Sequence, residues 1–314
     1  MTRYDILVVG GGIAALTAGL FGARAGRSTL VLEPAMPGGH LTNIMKIEDF
    51  PGFPDGVSGY ELGPNTQMQA MNQGAEFAMA EVQAIARAGN DPNGDWIVTT
   101  SEGDYEAGAV IVASGSHART MGVPGEEHLT GKGISHCASC DGPIYRGKTV
   151  GVAGGGDSAF QEALTLAEHV GTVHIFHRGD AFTGQDVYRQ RVEDERKITV
   201  HYQTDIREVL GDDGVTGVLV QDQSTGAERS VELAGLFVYV GLAPNSGFLS
   251  ELLALDEHGR IPTDIWMRTE QPGLFAAGDV RRDSASQAIT AAGDGATAAI
   301  AADRYLRTRP ASAG

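Results

Sequence analysis

The fold class predicted for this chain is α/β, and three observations predict it. An apolar run from Tyr4 to Val9 feeds the turn Gly10-Gly11-Gly12-Ile13-Ala14-Ala15, and a second from Lys148 to Ala153 feeds Gly154-Gly155-Gly156-Asp157-Ser158-Ala159. Each turn opens an alanine- and leucine-rich stretch that leads into another short apolar run. Gly10 and Gly154 lie 144 positions apart, so the chain repeats one strand-turn-helix-strand unit in tandem.

In the first unit, Ile6 to Val9 is continuously apolar, the mark of a parallel strand buried on both faces. The spacing predicts a helix over Leu16 to Ala25, stopped at Gly26, and a second strand over Ser28 to Leu32 closed by Glu33. G-x-G-x-x-A in that context, with an acid 23 positions after Gly10, is the dinucleotide pattern. Gly10 allows the tight turn, Gly12 lets a pyrophosphate approach the backbone at the helix N-terminus, Ala15 completes the motif, and Glu33 accepts hydrogen bonds from a ribose.

Pro37 to Pro54 is a long irregular segment, of a length that usually serves function. Residues 61–80 are predicted as one helix, with Leu62, Met68, Met71 and Phe77 facing the core. Asp95 to Thr100 and Asp104 to Val112 are predicted strands, the second ending in Ala113-Ser114-Gly115.

In the second unit, Phe160, Ala163, Leu164 and Ala167 share a helical face, and Val173 to Phe176 is the next strand. Where the first unit has Glu33, this one has His177-Arg178. A basic group there suits a 2′-phosphate, whereas an acid selects the free ribose, so the second turn favours NADPH over NADH. Further on, Gly273 to Ala277 is a short buried strand ending in Gly278-Asp279. Gln287 to Leu306 follows as a helix with alanines for close packing, and Arg307 to Gly314 is expected to be a frayed tail.

The only two cysteines stand in Cys137-Ala138-Ser139-Cys140-Asp141. A structural zinc site needs about four ligands, and beyond His136 nothing near this pair supplies them, so no metal is expected. A two-residue spacer permits a small reducible disulfide whose sulfurs exchange with a partner, and Asp141 can take or give the proton that thiol chemistry moves.

Hydrophobic residues make up 42% and charged residues 20% of the chain, a globular balance. With 23 basic against 40 acidic residues the net charge is −17, which argues against nucleic acid or an anionic membrane as partner. No apolar run approaches the roughly 18 residues that a bilayer requires. The N-terminal apolar run has a superficial look of a secretion signal, but Asp5 and the glycine cluster fit a strand-turn-helix better. A cytoplasmic protein is expected, where a cysteine pair points to catalysis rather than cross-linking.

With these residues the chain resembles the low-molecular-weight thioredoxin reductase family of flavoproteins along essentially its whole length. The anchors are Gly10-x-Gly12, Glu33, Gly38-Gly39, Phe50-Pro51-Gly52-Phe53, Val123-Pro124-Gly125-Glu126, Cys137-x-x-Cys140-Asp141-Gly142, Gly154 to Ala159, Pro244-Asn245 and Ala277-Gly278-Asp279. The resemblance implies two Rossmann-like three-layer domains, the second inserted into the first. Residues 1–115 and 246–314 would form a discontinuous FAD-binding domain, and 116–245 an NAD(P)H-binding domain that carries the cysteines. It implies FAD contacts at Gly10, Gly12, Ala15, Glu33, Gly39, His40, Leu41, Gly278, Asp279, Gln287 and Ala288. NADPH contacts would fall at Gly154, Gly156, Asp157, Ser158, Ala159, His177 and Arg178.

The implied activity is an electron relay in which NADPH reduces the flavin, the flavin reduces the Cys137–Cys140 disulfide, and the dithiol reduces thioredoxin or a thioredoxin-like protein. Cys140 would face the flavin and Asp141 would be the acid/base. Members are usually homodimers, and they alternate two domain orientations, here about hinges at 114–120 and 241–247.

The departures are also specific. The family's H-R-R-x-x-x-R is here His177-Arg178-Gly179-Asp180-Ala181-Phe182-Thr183, so two phosphate-binding arginines are missing. Charge-assisted contacts are worth roughly 1.5–3 kcal/mol each, so NADPH binding would weaken by orders of magnitude. The family's Arg-Gln-Ala is here Ser286-Gln287-Ala288, and His40 and His136 stand where other residues are usual. These changes motivate an alternative, a relative with lost or weak NADPH use that runs from another donor or acts as an oxygen-dependent dithiol oxidase.

Overall fold

The computed structural model describes residues 1–89 and 91–309. Two compact units divide the chain: Met1–His117 with Ala243–Gly314, and Ala118–Leu242 between them. The chain therefore crosses at 117/118 and 242/243, where the sequence suggested 115/116 and 245/246.

In chain order the first unit begins with β1 (Thr2–Val9), α1 (Ile13–Arg24), β2 (Thr29–Leu32), α2 (Gly59–Asn72), β3 (Glu76–Ala78), β4 (Val82–Arg87), β5 (Trp96–Thr100), β6 (Gly103–Val112) and β7 (Ser116–Ala118). Between β2 and α2 only a 3-10 turn at Gly39–Asn43 is regular. The single helix expected over 61–80 is instead α2 and β3. Gly74 takes φ 99°, which ends the helix, and Phe77 joins the sheet. Met68 and Met71 are 59% and 54% exposed, so they are not core; Leu62 and Ala70, with Gly59 and Gly63, are the buried residues of α2.

The inserted unit holds α3 (Glu126–Leu129), β8 (Ile134–Ser135), α4 (Ala138–Asp141), β9 (Thr149–Ala153), α5 (Asp157–Ala167), β10 (Thr172–Phe176), α6 (Asp186–Asp194) and β11 (Ile198–His201). It continues with β12 (Thr204–Leu210), β13 (Gly217–Asp222), β14 (Glu228–Glu232) and β15 (Leu236–Val238). After β16 (Leu242–Pro244), the first unit resumes with β17 (Leu274–Ala276) and α7 (Ala288–Thr308). Of the expected tail, Arg307 and Thr308 are the last helical residues, and 310–314 lie outside the described residues.

Both units share one plan. In the first, β3-β2-β1-β6 run parallel, β17 joins the C-terminal half of β6 in parallel, and the other half of β6 pairs antiparallel with β5 and then β4. In the second, β11-β10-β9-β15-β8 are all parallel and β12-β13-β14 form a separate antiparallel meander.

Strand period 2 then builds the layers. Ile6 and Val8 of β1 pack with Ala14 and Ala18 of α1 and Ala298 of α7, while Leu7 and Val9 pack with Trp96 and Val98 of the meander. In the second unit Val150 and Val152 meet Phe160 and Leu166 of α5, and Phe176 and Val238 meet Ile206 and Val218. Each unit is thus helices, parallel sheet and meander in three Rossmann-like layers, and the second is inserted into the first.

Helices α1 and α7 approach closely because small residues face each other. A Cβ on Gly295 would lie 2.0 Å from the Ala14 carbonyl oxygen. Asp294, one position earlier, is buried and receives the Gly278 N–H at 3.1 Å and the Arg281 guanidinium at 2.6 and 3.1 Å. That contact fixes the Ala277-Gly278-Asp279 turn on α7.

Each unit also holds the crossing strands in its own way. In the first, the Asn245 N–H and Nδ2 donate to the carbonyls of Gly115 and Ser114, Ser114 Oγ donates to the Asn245 carbonyl, and His117 Nδ1 donates to Asn245 Oδ1 at 2.7 Å. In the second, Arg119 donates through its N–H to the Gly241 carbonyl and through Nε to Leu242, both at 3.0 Å. Among the described residues no helix is long and apolar enough to cross a membrane.

Candidate active site

The two glycine turns are built alike. Gly10 takes φ 113°, and a Cβ there would lie 2.3 Å from the Ala113 carbonyl oxygen; Gly154 takes φ 144°, with the Tyr239 carbonyl oxygen at 2.4 Å. Only glycine fits either place. The middle glycines are each covered by the side chain that ends the second strand. Glu33 lies over Gly11, 2.5 Å from the position of an added Cβ, and the His177 ring lies over Gly155 at 2.0 Å. Gly12 and Gly156 face open space, with nothing within 4 Å of an added Cβ. Each begins its helix without a side-chain cap, so the N–H groups of the first turns of α1 and α5 point to that space without competition from a capping side chain.

In the first unit the 3-10 turn folds back on Gly12. A Cβ on Gly39 would sit 3.1 Å from Gly12 Cα, and Leu41 is buried beside Ile13 and Ala14. His40 is exposed, and its Nε2 donates to the Ser116 carbonyl at 2.7 Å. Ala15 is fully buried, and a Cβ on Gly278 would lie 3.0 Å from Ala14 Cβ, which brings Asp279 to the first turn of α1. Burial raises the Asp279 carboxyl above its ordinary pKa, opposed by the Ser284 hydroxyl that donates to it at 3.2 Å and by the charges of His40 and Arg260. Gln287 and Ala288, half-buried, form the uncapped start of α7, approached through Asp283 and Ser286 in left-handed backbone.

In the second unit Asp157 accepts the Gln185 N–H at 2.6 Å, and Thr183 donates to the Gly155 carbonyl through its N–H and its hydroxyl. Ser158 is exposed and Ala159 fully buried. The two basic residues part company: Arg178 is exposed, but His177 is only 9% exposed and its Nε2 donates to the Ala181 carbonyl at 2.9 Å.

Cys137 and Cys140 form a disulfide, with Cα atoms 5.3 Å apart. Cys137 stands at the N-cap of α4, where its sulfur accepts the Cys140 N–H at 3.2 Å and its carbonyl the Asp141 N–H at 3.1 Å. Ser135 Oγ accepts the Cys137 N–H, and His136 Nδ1 donates to the Val238 carbonyl at 2.9 Å. Cys140 is exposed, and beyond Asp141 the side chain of Ile144 is 67% exposed. The arrangement is an accessible disulfide in a tight turn with a carboxylate at its end.

Motif reading passes over two residues that meet this turn. Glu162 Oε2 accepts the Ala138 N–H at 3.3 Å, and Tyr239 Oη donates to the same oxygen at 3.5 Å. Position 162 falls at helical spacing in the apolar stripe of Ala159, Ala163 and Leu166, and an acid in such a stripe is a readable signal.

The profile of the pyridine nucleotide-disulphide oxidoreductase family matches residues 4–295. The thioredoxin reductase of Treponema pallidum is 40% identical over 307 residues, covering 98% of each chain. Among solved structures, the Lactococcus lactis thioredoxin reductase is similar with a TM-score of 0.93 at 37% identity, covering 97% of this chain and 99% of that one. The T. acidophilum thioredoxin reductase is similar with a TM-score of 0.91 at 34% identity and the same coverage. Paired glycine turns, redox disulfide and full-length likeness agree, and the chain belongs to the pyridine nucleotide-disulphide oxidoreductase family, as an oxidoreductase of its low-molecular-weight thioredoxin reductase branch.

Proposed function

We propose that this chain is a thioredoxin reductase that passes electrons from NADPH, by way of bound FAD, to the Cys137–Cys140 disulfide and on to thioredoxin or a thioredoxin-like protein. The observation that carries the reading is an accessible disulfide followed by Asp141 in a chain with two open dinucleotide turns.

In this reading the discontinuous unit, Met1–His117 with Ala243–Gly314, holds FAD, and the inserted unit, Ala118–Leu242, holds NADPH. The first cradle fits such a group: Gly12 faces open space and the start of α1 has no side-chain cap, which suits a pyrophosphate. Glu33 orients the ribose; Gly10, Ala15, Gly39, His40 and Leu41 shape the wall; Gly278, Asp279, Gln287 and Ala288 hold the flavin end. When bound, FAD supplies two-electron carriage between a nicotinamide and a disulfide. Gly154, Gly156, Asp157, Ser158 and Ala159 present the second turn to NADPH, with Arg178 as its cation.

Reduction of the disulfide breaks the S–S bond and takes two electrons and two protons; Asp141 delivers or accepts a proton at the Cys140 sulfur. The Cys137 thiolate then attacks a partner disulfide to give a mixed disulfide. Cys140 displaces the partner as a dithiol and re-forms the Cys137–Cys140 bond. Exposed Ile144 offers the partner an apolar contact beside the sulfurs. The reading also makes the protein a cytoplasmic homodimer. A cycling dithiol suits a reducing compartment, and exposed Tyr60, Met68 and Met71 on α2 suit a subunit interface.

A second reading has one observation in its favour. His177 is buried and bonded to Ala181, which leaves Arg178 alone to meet a 2′-phosphate. The donor would then be another reductant, or the flow would run in reverse, as an oxygen-dependent dithiol oxidase. Anaerobic mixing of the yellow protein with NADPH separates the two. Bleaching of the flavin band within seconds supports the reductase; no bleaching at millimolar NADPH sinks it, and bleaching by a small dithiol with peroxide on re-aeration supports the oxidase.

A further inference from the structure

Glu162 is a buried carboxyl that the relay above does not use. It stands behind the dithiol turn, on α5. Its Oε2 accepts the N–H of Ala138, the peptide that begins at the carbonyl of Cys137, and Tyr239 Oη donates to it at 3.5 Å, a long hydrogen bond. Ala138 is itself fully buried, so this peptide has no access to water, and the carboxyl is its partner.

We propose that Glu162 is a positioning residue for disulfide exchange, anchoring the Cys137–Ala138 peptide with a carboxyl whose charge governs how readily the reduced Cys137 sulfur becomes a thiolate. The inference rests on the reductase reading, because it assigns Glu162 to the sulfur that attacks the partner.

The physical case is one of like charges in a medium that screens poorly. A thiolate at Cys137 and a carboxylate at Glu162 would sit on either side of one peptide, in a region packed with Phe160, Ala163, Leu166 and Phe237. Both do not ionise there without mutual cost, so the two groups titrate as a pair. Burial pushes the Glu162 carboxyl up to about 7, against the Ala138 N–H and the Tyr239 hydroxyl, which favour its charged form.

The titratable groups around it come from several elements. Tyr239 follows β15 and Asp141 ends α4; burial and then the charge of Glu162 raise Tyr239, with Asp141 adding least, and burial and then Asp141 raise Tyr145. His136 precedes α4, His169 lies against Gly142 beyond the end of α5, and Tyr188 of α6 packs into the same cluster. Below neutral pH Glu162 keeps its proton and the Cys137 thiolate forms without opposition. Above it, the carboxylate holds the thiol in its protonated, unreactive state.

The test is the alkylation of Cys137 by iodoacetamide in the anaerobically reduced holoenzyme, mapped by mass spectrometry as pH rises from about 6 to about 8, a range that spans neutrality below the ordinary thiol pKa. Glu162→Gln keeps an acceptor for Ala138 but carries no charge. The expected rates are equal for wild type and variant at the acid end, with the variant faster by about three- to ten-fold at the alkaline end. A ratio that does not change with pH overturns the proposal.

Tyr239→Phe is the second arm. It removes a donor to the charged carboxylate, so Glu162 keeps its proton to higher pH and the Cys137 rate between about pH 7 and 8 rises toward that of Glu162→Gln; a rate profile that does not change overturns the proposal even if Glu162→Gln fails to fold. Neither arm needs nucleotide or thioredoxin, so failure here is distinct from failure of the reductase reading.

Discussion

Glu33 and His177 are structural counterparts. Each ends the second strand of its unit, and each lays its side chain over the middle glycine of that unit's turn, Gly11 for Glu33 and Gly155 for His177. One is an acid, the residue type that suits a free ribose; the other is an imidazole turned inward to the Ala181 carbonyl. The difference bears directly on nucleotide choice.

Thr183 is exposed, so Thr183→Arg places a new cation near the second turn at the cost of a single hydroxyl contact to Gly155. The expected result is a KM for NADPH lower by about ten-fold or more, with the KM for NADH nearly unchanged, since one charge-assisted contact is worth about 1.5–3 kcal/mol. Gly179→Arg, the other missing arginine, is expected to fail, because a Cβ there would lie 2.6 Å from His177 Nε2. Steady-state kinetics with both nucleotides, with thermal melts of both variants, check this.

Gly10 and Gly12 separate folding from cofactor retention. Gly10→Ala drives a methyl into the Ala113 carbonyl at φ 113° and is expected to lower stability by about 1–3 kcal/mol or more. Gly12→Ala has room in the protein itself, so it should fold normally and purify with little or no yellow colour. Urea unfolding and the absorbance ratio of flavin to protein give the two readouts.

Much of this was legible because the chemistry is short-range. A turn that demands positive φ writes glycine at Gly10 and Gly154, and a two-residue spacer announces Cys137–Cys140. The meanders were legible only in β5 and β6, the strands expected over Asp95 to Thr100 and Asp104 to Val112. In β4 only Ile85 is buried and in β14 no residue is, so neither shows the apolar signal of a core strand. The methionines of α2 misled because hydrophobicity alone does not distinguish a core face from an exposed one. The inward turn of His177 depends on the loop that follows it, and motif spacing carries no trace of that loop's path.

Asp294 should be the most sensitive acid of the first unit. Asp294→Ala removes the acceptor of the Gly278 N–H and the carboxylate partner of the half-buried Arg281 guanidinium, which keeps only the Arg282 and Asp283 carbonyls, and is expected to cost about 1–3 kcal/mol. Chemical denaturation would show it, with loss of FAD because the Gly278-Asp279 turn is released.

Asp279 gives a pH dependence of known sign. Its pKa is raised in the folded protein, so the native state binds this proton more tightly than the unfolded chain does. Its stabilising contribution is present at low pH and is lost as pH rises through the folded pKa. Asp279→Asn should therefore raise the melting temperature of the FAD-free protein at neutral pH and lose that advantage in acid. An advantage that grows in acid would contradict the assignment.

The most direct test of the account is thioredoxin reduction driven by NADPH in wild type and in Cys140→Ser. The wild-type protein should reduce thioredoxin catalytically, and the variant should keep its FAD, with turnover at background. Wild-type-like turnover by Cys140→Ser, or none by the FAD-loaded wild type, would contradict the claim that electrons pass through the Cys137–Cys140 pair.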